Sequence, residues 1–528
     1  MAGGFHIGPD TVVETAEGKL RGFFLDDLYI FQGIKYADAK RFQAPKAPAP
    51  WTGVKDAANY GYICPVSAAP MPTGELLIPH RFWPANEHCQ YLNIWTPSLD
   101  AAAKRPVMVW LHGGGFSDGS SIEQVAYEGD SLAAGADAVV VTLNHRLNIL
   151  GFLDMSSFGE KYANSVNAGM ADIVEALRWI RRNIAAFGGD PGNVTVFGQS
   201  GGGGKVSALL QIPEAAGLFH RAGLMSGVFE SDDDTGIDHR PYILGMMEEL
   251  GIGEDEPEKL EKVPYAFLNR AYNRVALKKL REENKLIHWG PVANGWYLGD
   301  PLEAGFSDYA RMVPTMAGSV LAEFSLGPAD AGGLTEEEKS ALVEKTWPGR
   351  GAELTALFKK AYPGKDLLRL LRLDLGCRRA TRRFIEEKAK VSSALSFLYM
   401  FAPDFDVDGL RPAWHCSDIP FVFRNTRRVP CCRNTDADTG NLEAQVSGAW
   451  TAFARTGDPN CPALPRWSPY TDGTRTTMVF DRTCRAADDY DRELIETLRS
   501  LSPPMSLRGM ALKMLEAAET DEGGEWIY

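Results

Sequence analysis

Between residues 198 and 202 the chain reads Gly-Gln-Ser-Gly-Gly, one serine with a glycine two positions before it and another two positions after. That spacing suits a strand-to-helix turn so sharp that side chains at the outer positions would collide and the serine itself stands strained. A serine lifted clear of its backbone in this way is set up for nucleophilic attack on a carbonyl carbon, the first step of acyl transfer. Such chemistry needs three further groups: a base, an acid that orients the base, and N–H donors for the oxyanion that forms. A phosphate-cradling loop is the competing reading of so much glycine. It fails, because a P-loop would need glycine at Gln199 and serine or threonine at Val206, and no G-x-G-x-x-G can be read from 198 to 206.

The donors have a candidate in His112-Gly113-Gly114-Gly115, which follows an apolar run about ninety residues before Ser200. Glycines there let backbone N–H groups approach a substrate oxygen, and Gly201 adds another N–H at the start of a helix. For the base there are nine histidines. The order nucleophile, acid, base leaves His220, His239, His288 and His415. His220 lies close behind the elbow, while His239 and His288 fall in a charged helical stretch. His415, in Ala413-Trp-His-Cys-Ser-Asp-Ile-Pro-Phe421, is the preferred candidate. For the acid, Glu323 closes the strand-like run Pro314–Phe324 among apolar neighbours, a setting suited to holding a histidine tautomer. Asp418, three residues past His415, is its rival.

These residues need elements to hold them. Val107-Met-Val-Trp-Leu111 and Ala138–Leu143 are near-continuous apolar runs, the signature of strands buried on both faces of a parallel sheet. Residues 165–187 carry a helical stripe stopped by Gly188-Gly189 and Pro191. A strand over 193–197 and a helix from about 202 to 211 flank the serine, as the turn requires. Further strands are expected at 224–227 and 395–401, with 477–480 as the last, after N-terminal hairpins over 11–36 and a strand at 91–95. Two charged helical blocks, about 229–300 and 335–395, read as insertions over the site, and 486–517 reads as helix with Met505, Met510, Met514 and Leu515 packed on the body. The four glycines 201–204 weaken a helix start by up to about 1 kcal/mol each relative to alanine. The expectation is that they leave room for a bulky substrate.

The 528 residues suit one large α/β domain with insertions, or two to three domains. A net charge of −14 argues against nucleic acid as a partner. The first ten residues lack the basic and apolar regions of a secretory signal, and no apolar run is long enough to span a bilayer, so the chain reads as soluble and cytoplasmic. Eight cysteines without a C-x-x-C pair give neither a disulfide scaffold nor a zinc site of that type. Cys64 and Cys89 could close a loop if oxidised, whereas a bridge between adjacent Cys431 and Cys432 is disfavoured.

The residues together resemble the type-B carboxylesterase, or cholinesterase-like, branch of the α/β-hydrolases over nearly the whole chain. The resemblance rests on Phe31-Gln-Gly-Ile-Lys-Tyr-Ala37, Arg41-Phe-Gln-Ala-Pro45, Glu87-His-Cys-Gln-Tyr-Leu-Asn93, His112-Gly-Gly-Gly-Phe116, Asn144-His-Arg-Leu147, the stretch 167–191 and the serine turn. It implies a single α/β-hydrolase domain over 1–528, with a large, mostly parallel sheet flanked by helices. It further implies a carboxylic-ester hydrolase with nucleophile Ser200, acid Glu323 and base His415, and oxyanion donors at Gly114, Gly115 and Gly201. The substrate would be a small-molecule ester, with no cofactor and no metal; whether the chain is a monomer or a homodimer stays open. Ion pairs Arg41–Glu87 and Arg146–Asp172, a Cys64–Cys89 disulfide and a place for Ser226 behind the triad are implied as well. Against the family's commonest pattern, Gly201 replaces alanine, Gln199 stands where cholinesterases carry glutamate, and Phe324 replaces glycine. The alternative is a catalytically inactive binding or adhesion protein on the same fold, although all three triad positions are filled.

Overall fold

The apolar runs of the sequence become neighbours in one eleven-stranded sheet. The computed structural model describes residues 4–66, 78–230, 236–324, 333–407 and 410–502. The strands of the large sheet are β1 (Phe23–Leu25), β2 (Leu28–Lys35), β3 (Tyr91–Thr96), β4 (Arg105–Leu111), β5 (Val139–Leu143) and β6 (Gly189–Gln199). They continue with β7 (Arg221–Met225), β8 (Thr315–Val320), β9 (Ser396–Phe401), β10 (Thr476–Phe480) and β11 (Arg485–Asp488). Their spatial order is β11-β10-β9-β8-β7-β6-β4-β5-β3-β2-β1. The block from β10 to β5 is parallel throughout, and the antiparallel pairings lie at the two edges. A short sheet of Val12–Glu14, Lys19–Arg21 and Val54–Asp56 holds the N-terminal hairpin.

Alternation along the central strands divides the interior into two cores. Val107, Val109 and Leu111 of β4 join Val139 and Val141 of β5 on one face; Met108 and Trp110 join Val140 and Phe197 on the other. The first face is covered by α1 (Ala168–Asn183), whose Met170, Ile173, Val174, Leu177 and Ile180 are all buried there. Helices α3 (Arg240–Glu249) and α4 (Tyr265–Glu283), from the first charged block, gather a cluster of their own with Ile149, Leu153 and Met155. Within the second block, α5 (Glu336–Thr346) and α6 (Gly351–Ala361) pair with each other, whereas α7 (Gly376–Val391) packs on β8 and β9.

Three differences from the expected elements have physical reasons. The longest helix among the described residues, α8 (Asp436–Thr456), lies in a stretch where no pattern above singles out an element. Its Leu442, Val446, Ala449, Trp450 and Phe453 recur at helical spacing into the second core, but Asp436-Ala-Asp-Thr-Gly440 opens the helix in turn-forming residues. Second, 477–480 is not the last strand: β11 returns antiparallel to it after the turn 481–484. Third, the helix expected over 486–517 begins only at Arg492, as α9 (Arg492–Leu501), because residues 486–488 belong to β11; residues 503–517, with the methionine stripe, lie outside the described residues. Among the described residues, no helix is long and apolar enough to cross a membrane.

Candidate active site

Five adjacent strands bring the singled-out residues to one edge of the sheet. In spatial order β4 is followed by the glycine loop 112–115, β6 by Ser200, β7 by Ser226, β8 by Glu323 and β9 by the segment carrying His415. This is the carboxyl edge of a parallel sheet, where strand-to-helix loops leave space for a ligand.

Ser200 has φ 56° and ψ −128°, a strained backbone for a residue with a side chain. Its N–H donates to Met225 O at 2.8 Å, and helix α2 (Gly201–Leu209) begins at the next residue. The glycines after it do not make room for substrate, contrary to the expectation above. A Cβ on Gly201 would lie 2.1 Å from Gly115 O, one on Gly202 2.0 Å from Leu111 O, and one on Gly203 2.8 Å from Gly227 Cα. Their missing side chains let α2 dock backbone to backbone on the loops after β4 and β7. Only Gly204 has ordinary space, 3.5 Å from Phe116. Two opposite outcomes are expected in thermal unfolding. Gly204→Ala should gain up to about 1 kcal/mol with turnover kept, because alanine favours a helix interior. Gly202→Ala should lose about 1–3 kcal/mol or more and most turnover, because carbonyl and Cβ cannot share the site.

Gly114 and Gly115 adopt φ 81° and 62°, conformations that favour glycine. Among the described residues, no backbone carbonyl accepts from the N–H of Gly114, Gly115 or Gly201. Three neighbouring N–H groups beside the serine are therefore unspent, the requirement for an oxyanion site.

Glu323 is buried, with φ 32°. Its Oε1 accepts from Ser226 Oγ at 2.8 Å and from Val320 N at 2.9 Å, while Oε2 accepts from His415 Nδ1 at 2.5 Å. On the other side of the imidazole, Gln199 Nε2 lies 3.2 Å from His415 Nε2, and Cys416 Sγ donates to Gln199 Oε1 at 3.2 Å. A proton on Nδ1 and a lone pair on Nε2 satisfy both neighbours, and that is the tautomer a general base needs. The other histidines are placed elsewhere: His220 Nδ1 accepts from Val194 N and His239 Nδ1 from Asp154 N. Among the described residues, the one donor cluster of metal-site type is Glu323, Asp374 and Cys377. Glu323 already spends both oxygens on three hydrogen bonds, so this set does not fit a metal ion.

Asp418, the rival acid, is buried against Tyr399, whose OH donates to its Oδ2 at 3.2 Å; Oδ1 has no partner. Burial first, and the charge of Glu323 second, push its carboxyl up to about 7. A carboxyl with a raised folded pKa contributes stability that is present below its unfolded pKa and lost as pH rises through about 7. Comparing the thermal midpoint at pH 5 and pH 8, Asp418→Asn should therefore show a smaller decline than the parent chain. An equal decline in both would assign the effect to other groups.

An aromatic wall faces the imidazole. Phe324, which is 39% exposed, lies against His415 with ring centroids 4.1 Å apart and planes tilted by 33°, and Phe229 lies 6.3 Å from His415 and 6.1 Å from Phe324. The implied ion pairs are present: Arg41 Nε donates to Glu87 Oε2 at 2.7 Å, and Arg146 pairs with Asp172 at 2.7 Å, fully buried. Cys64 and Cys89 are buried neighbours but carry free thiols rather than the implied disulfide. Gln199 as a partner of His415, Cys416 as a partner of Gln199, and Cys377 beside Glu323 carry no sequence motif; only the position of Gln199 next to the serine hints at its contact.

A family model described as "Carboxylesterase family" matches residues 9–346 and 366–496. The chain is similar to the para-nitrobenzyl esterase of Bacillus subtilis (strain 168), 32% identical over 91% of this chain and 97% of that one. It is also similar to the phenmedipham hydrolase of Pseudarthrobacter oxydans, 32% identical over 93% of this chain and 99% of the other. Among solved structures, one described as "An esterase from anaerobic Clostridium hathewayi can hydrolyze aliphatic aromatic polyesters" superposes with a TM-score of 0.91. It is 47% identical and covers 94% of this chain and all of its own.

Proposed function

This chain belongs to the carboxylesterase family and is a carboxylic-ester hydrolase of the α/β-hydrolase fold, and from that premise we propose that its reaction runs through an acyl-enzyme on Ser200. Ser200 Oγ attacks the ester carbonyl while His415 Nε2 takes its proton, exchanging its contact with Gln199 for one with the serine. Glu323 holds the opposite ring nitrogen and stabilises the imidazolium that forms. The carbonyl oxygen, now anionic, is received by the N–H groups of Gly114, Gly115 and Gly201. Collapse of this intermediate expels the alcohol with a proton from His415, and water then repeats the sequence on the acyl-enzyme. The observation that carries the reading is the buried Nδ1–Oε2 pair of His415 and Glu323 at 2.5 Å, beside the strained serine.

The substrates proposed are esters with an aromatic ring in the acyl or alcohol part. Phe324 and Phe229 supply an apolar aromatic surface at the base, and a relative named para-nitrobenzyl esterase and one described as hydrolysing aliphatic aromatic polyesters support the same class. A series of benzyl and benzoate esters against alkyl esters of equal size tests this, together with intact-mass detection of a fluorophosphonate adduct on Ser200. The substrate class is wrong if alkyl esters match the aromatic ones and Phe324→Ala leaves the ratio unchanged. The site is wrong if the adduct forms elsewhere.

A further inference from the structure

Lys205 sits in helix α2 with no exposed surface, and the reaction as written does not use it. Its Nζ donates to the carbonyl of His112 at 2.9 Å, the residue that opens the glycine loop. The same ammonium lies 5.6 Å from the ring centroid of Phe116, the residue that closes it. One side chain thus touches both ends of the loop that presents Gly114 and Gly115, and it does so from the helix whose first residue is Gly201.

The surroundings bear on whether this amine is incidental. A buried amine costs free energy unless it is bonded, so its presence in an otherwise small, apolar helix calls for a use. Burial draws its pKa down to about 7, against the opposing charges of Glu123 and Asp118. His112 and His145, stacked 5.0 Å apart, are held neutral by burial and by Lys205; each uses Nδ1 on the carbonyl of the next residue, at 2.9 Å. Neither imidazole Nδ1 is therefore available to the His112 carbonyl, which Lys205 satisfies instead.

We propose that Lys205 is a positioning residue of the oxyanion hole: by tying the His112 carbonyl and seating Phe116, it fixes the N–H groups of Gly114 and Gly115 relative to that of Gly201. The proposal rests on the assignment of those three glycines above. An oxyanion exists only after attack, so a loosened loop weakens the transition state more than the bound ester. The loss therefore falls on kcat and leaves KM nearly alone.

The test is Lys205→Met in the full chain, with kcat and KM for an aryl ester and the affinity of a trifluoromethyl ketone that forms a tetrahedral adduct. Removing one oxyanion donor outright costs about a hundredfold to a thousandfold, so a misplaced loop should lower kcat and ketone affinity together by about ten- to a hundredfold. KM should stay within about threefold. Lys205→Gln, one bond too short to reach His112 but still polar, should behave alike, and decides the matter if the methionine variant does not fold. Parental kcat and ketone affinity in a folded variant overturn the proposal, as does a loss in KM alone. A fluorophosphonate adduct read by intact mass separates the two levels. Failure of the unsubstituted chain to be labelled at Ser200 removes the underlying assignment, whereas full labelling with unchanged kinetics removes only the role of Lys205.

Discussion

Ser200→Ala is expected to lower kcat for an aryl ester by about a millionfold, leaving only the slow attack of water in a site that still binds and polarises the carbonyl. The two residues with which Ser200 would work cannot substitute for it. His415 is already oriented by Glu323 and Gln199, and without a hydroxyl to deprotonate it can activate only water. Fold and thermal midpoint should change little. Alanine meets the same strain at φ 56° as serine, and the N–H bond to Met225 O is kept. Steady-state kinetics with active-site titration checks the result; retention of even a hundredth of parental turnover would place the nucleophile elsewhere.

Glu323→Gln is expected to cost about ten-thousandfold in kcat although the side chain is nearly isosteric. Oε1 of Glu323 is held by two donors, Ser226 Oγ and Val320 N. Glutamine can satisfy Val320 N–H only by keeping its carbonyl oxygen there, which turns its NH2 toward His415 Nδ1. Two donors then face each other, and the imidazole relieves the conflict by moving its proton to Nε2, the atom that must accept the serine's proton. The variant should keep its thermal midpoint to within a few degrees and react with a fluorophosphonate far more slowly than the parent. A loss of less than about a hundredfold would mean that Asp418 or water can replace the carboxylate.

How far the sequence reaches is clear at particular residues. Ser200 and the loop 112–115 are legible because steric demands on a tight turn and a close backbone leave glycines at fixed spacing. The strands β4 and β5 are legible because burial on both faces leaves near-continuous apolar runs, and the end of β6 because the serine turn must follow a strand. Glu323 and Asp418 could not be separated by chemistry alone, since both are carboxylates with apolar neighbours. The distinction lies in the turn after β8, which carries Glu323 at φ 32° toward the imidazole while Asp418 turns to Tyr399. The glycines at 201–203 were visible as glycines, but their meaning depends on which backbone faces them, for Gly202 the Leu111 carbonyl 91 residues upstream. Helix α8 was obscured by its turn-like first residues, and Lys205 by its neighbours, because nothing in a linear pattern says that a lysine has no water.

Ser200, Ser226, Glu323 and Cys416 all hold left-handed backbone conformations at the carboxyl edge of the sheet. Each such residue stores on the order of 1 kcal/mol or more, which the rest of the fold must offset. Glycine at Ser200 would relieve that tension and, on a thermal scan alone, would look like an improvement, whereas at buried Ser226 or Glu323 it would break the hydrogen bonds that hold the imidazole's partner. Directed selection for heat tolerance should therefore drift toward Ser200 and deliver sturdier chains without a nucleophile. A stabilisation campaign on this enzyme is better aimed at Gly204 and at the outer helices, with turnover scored alongside melting in every round.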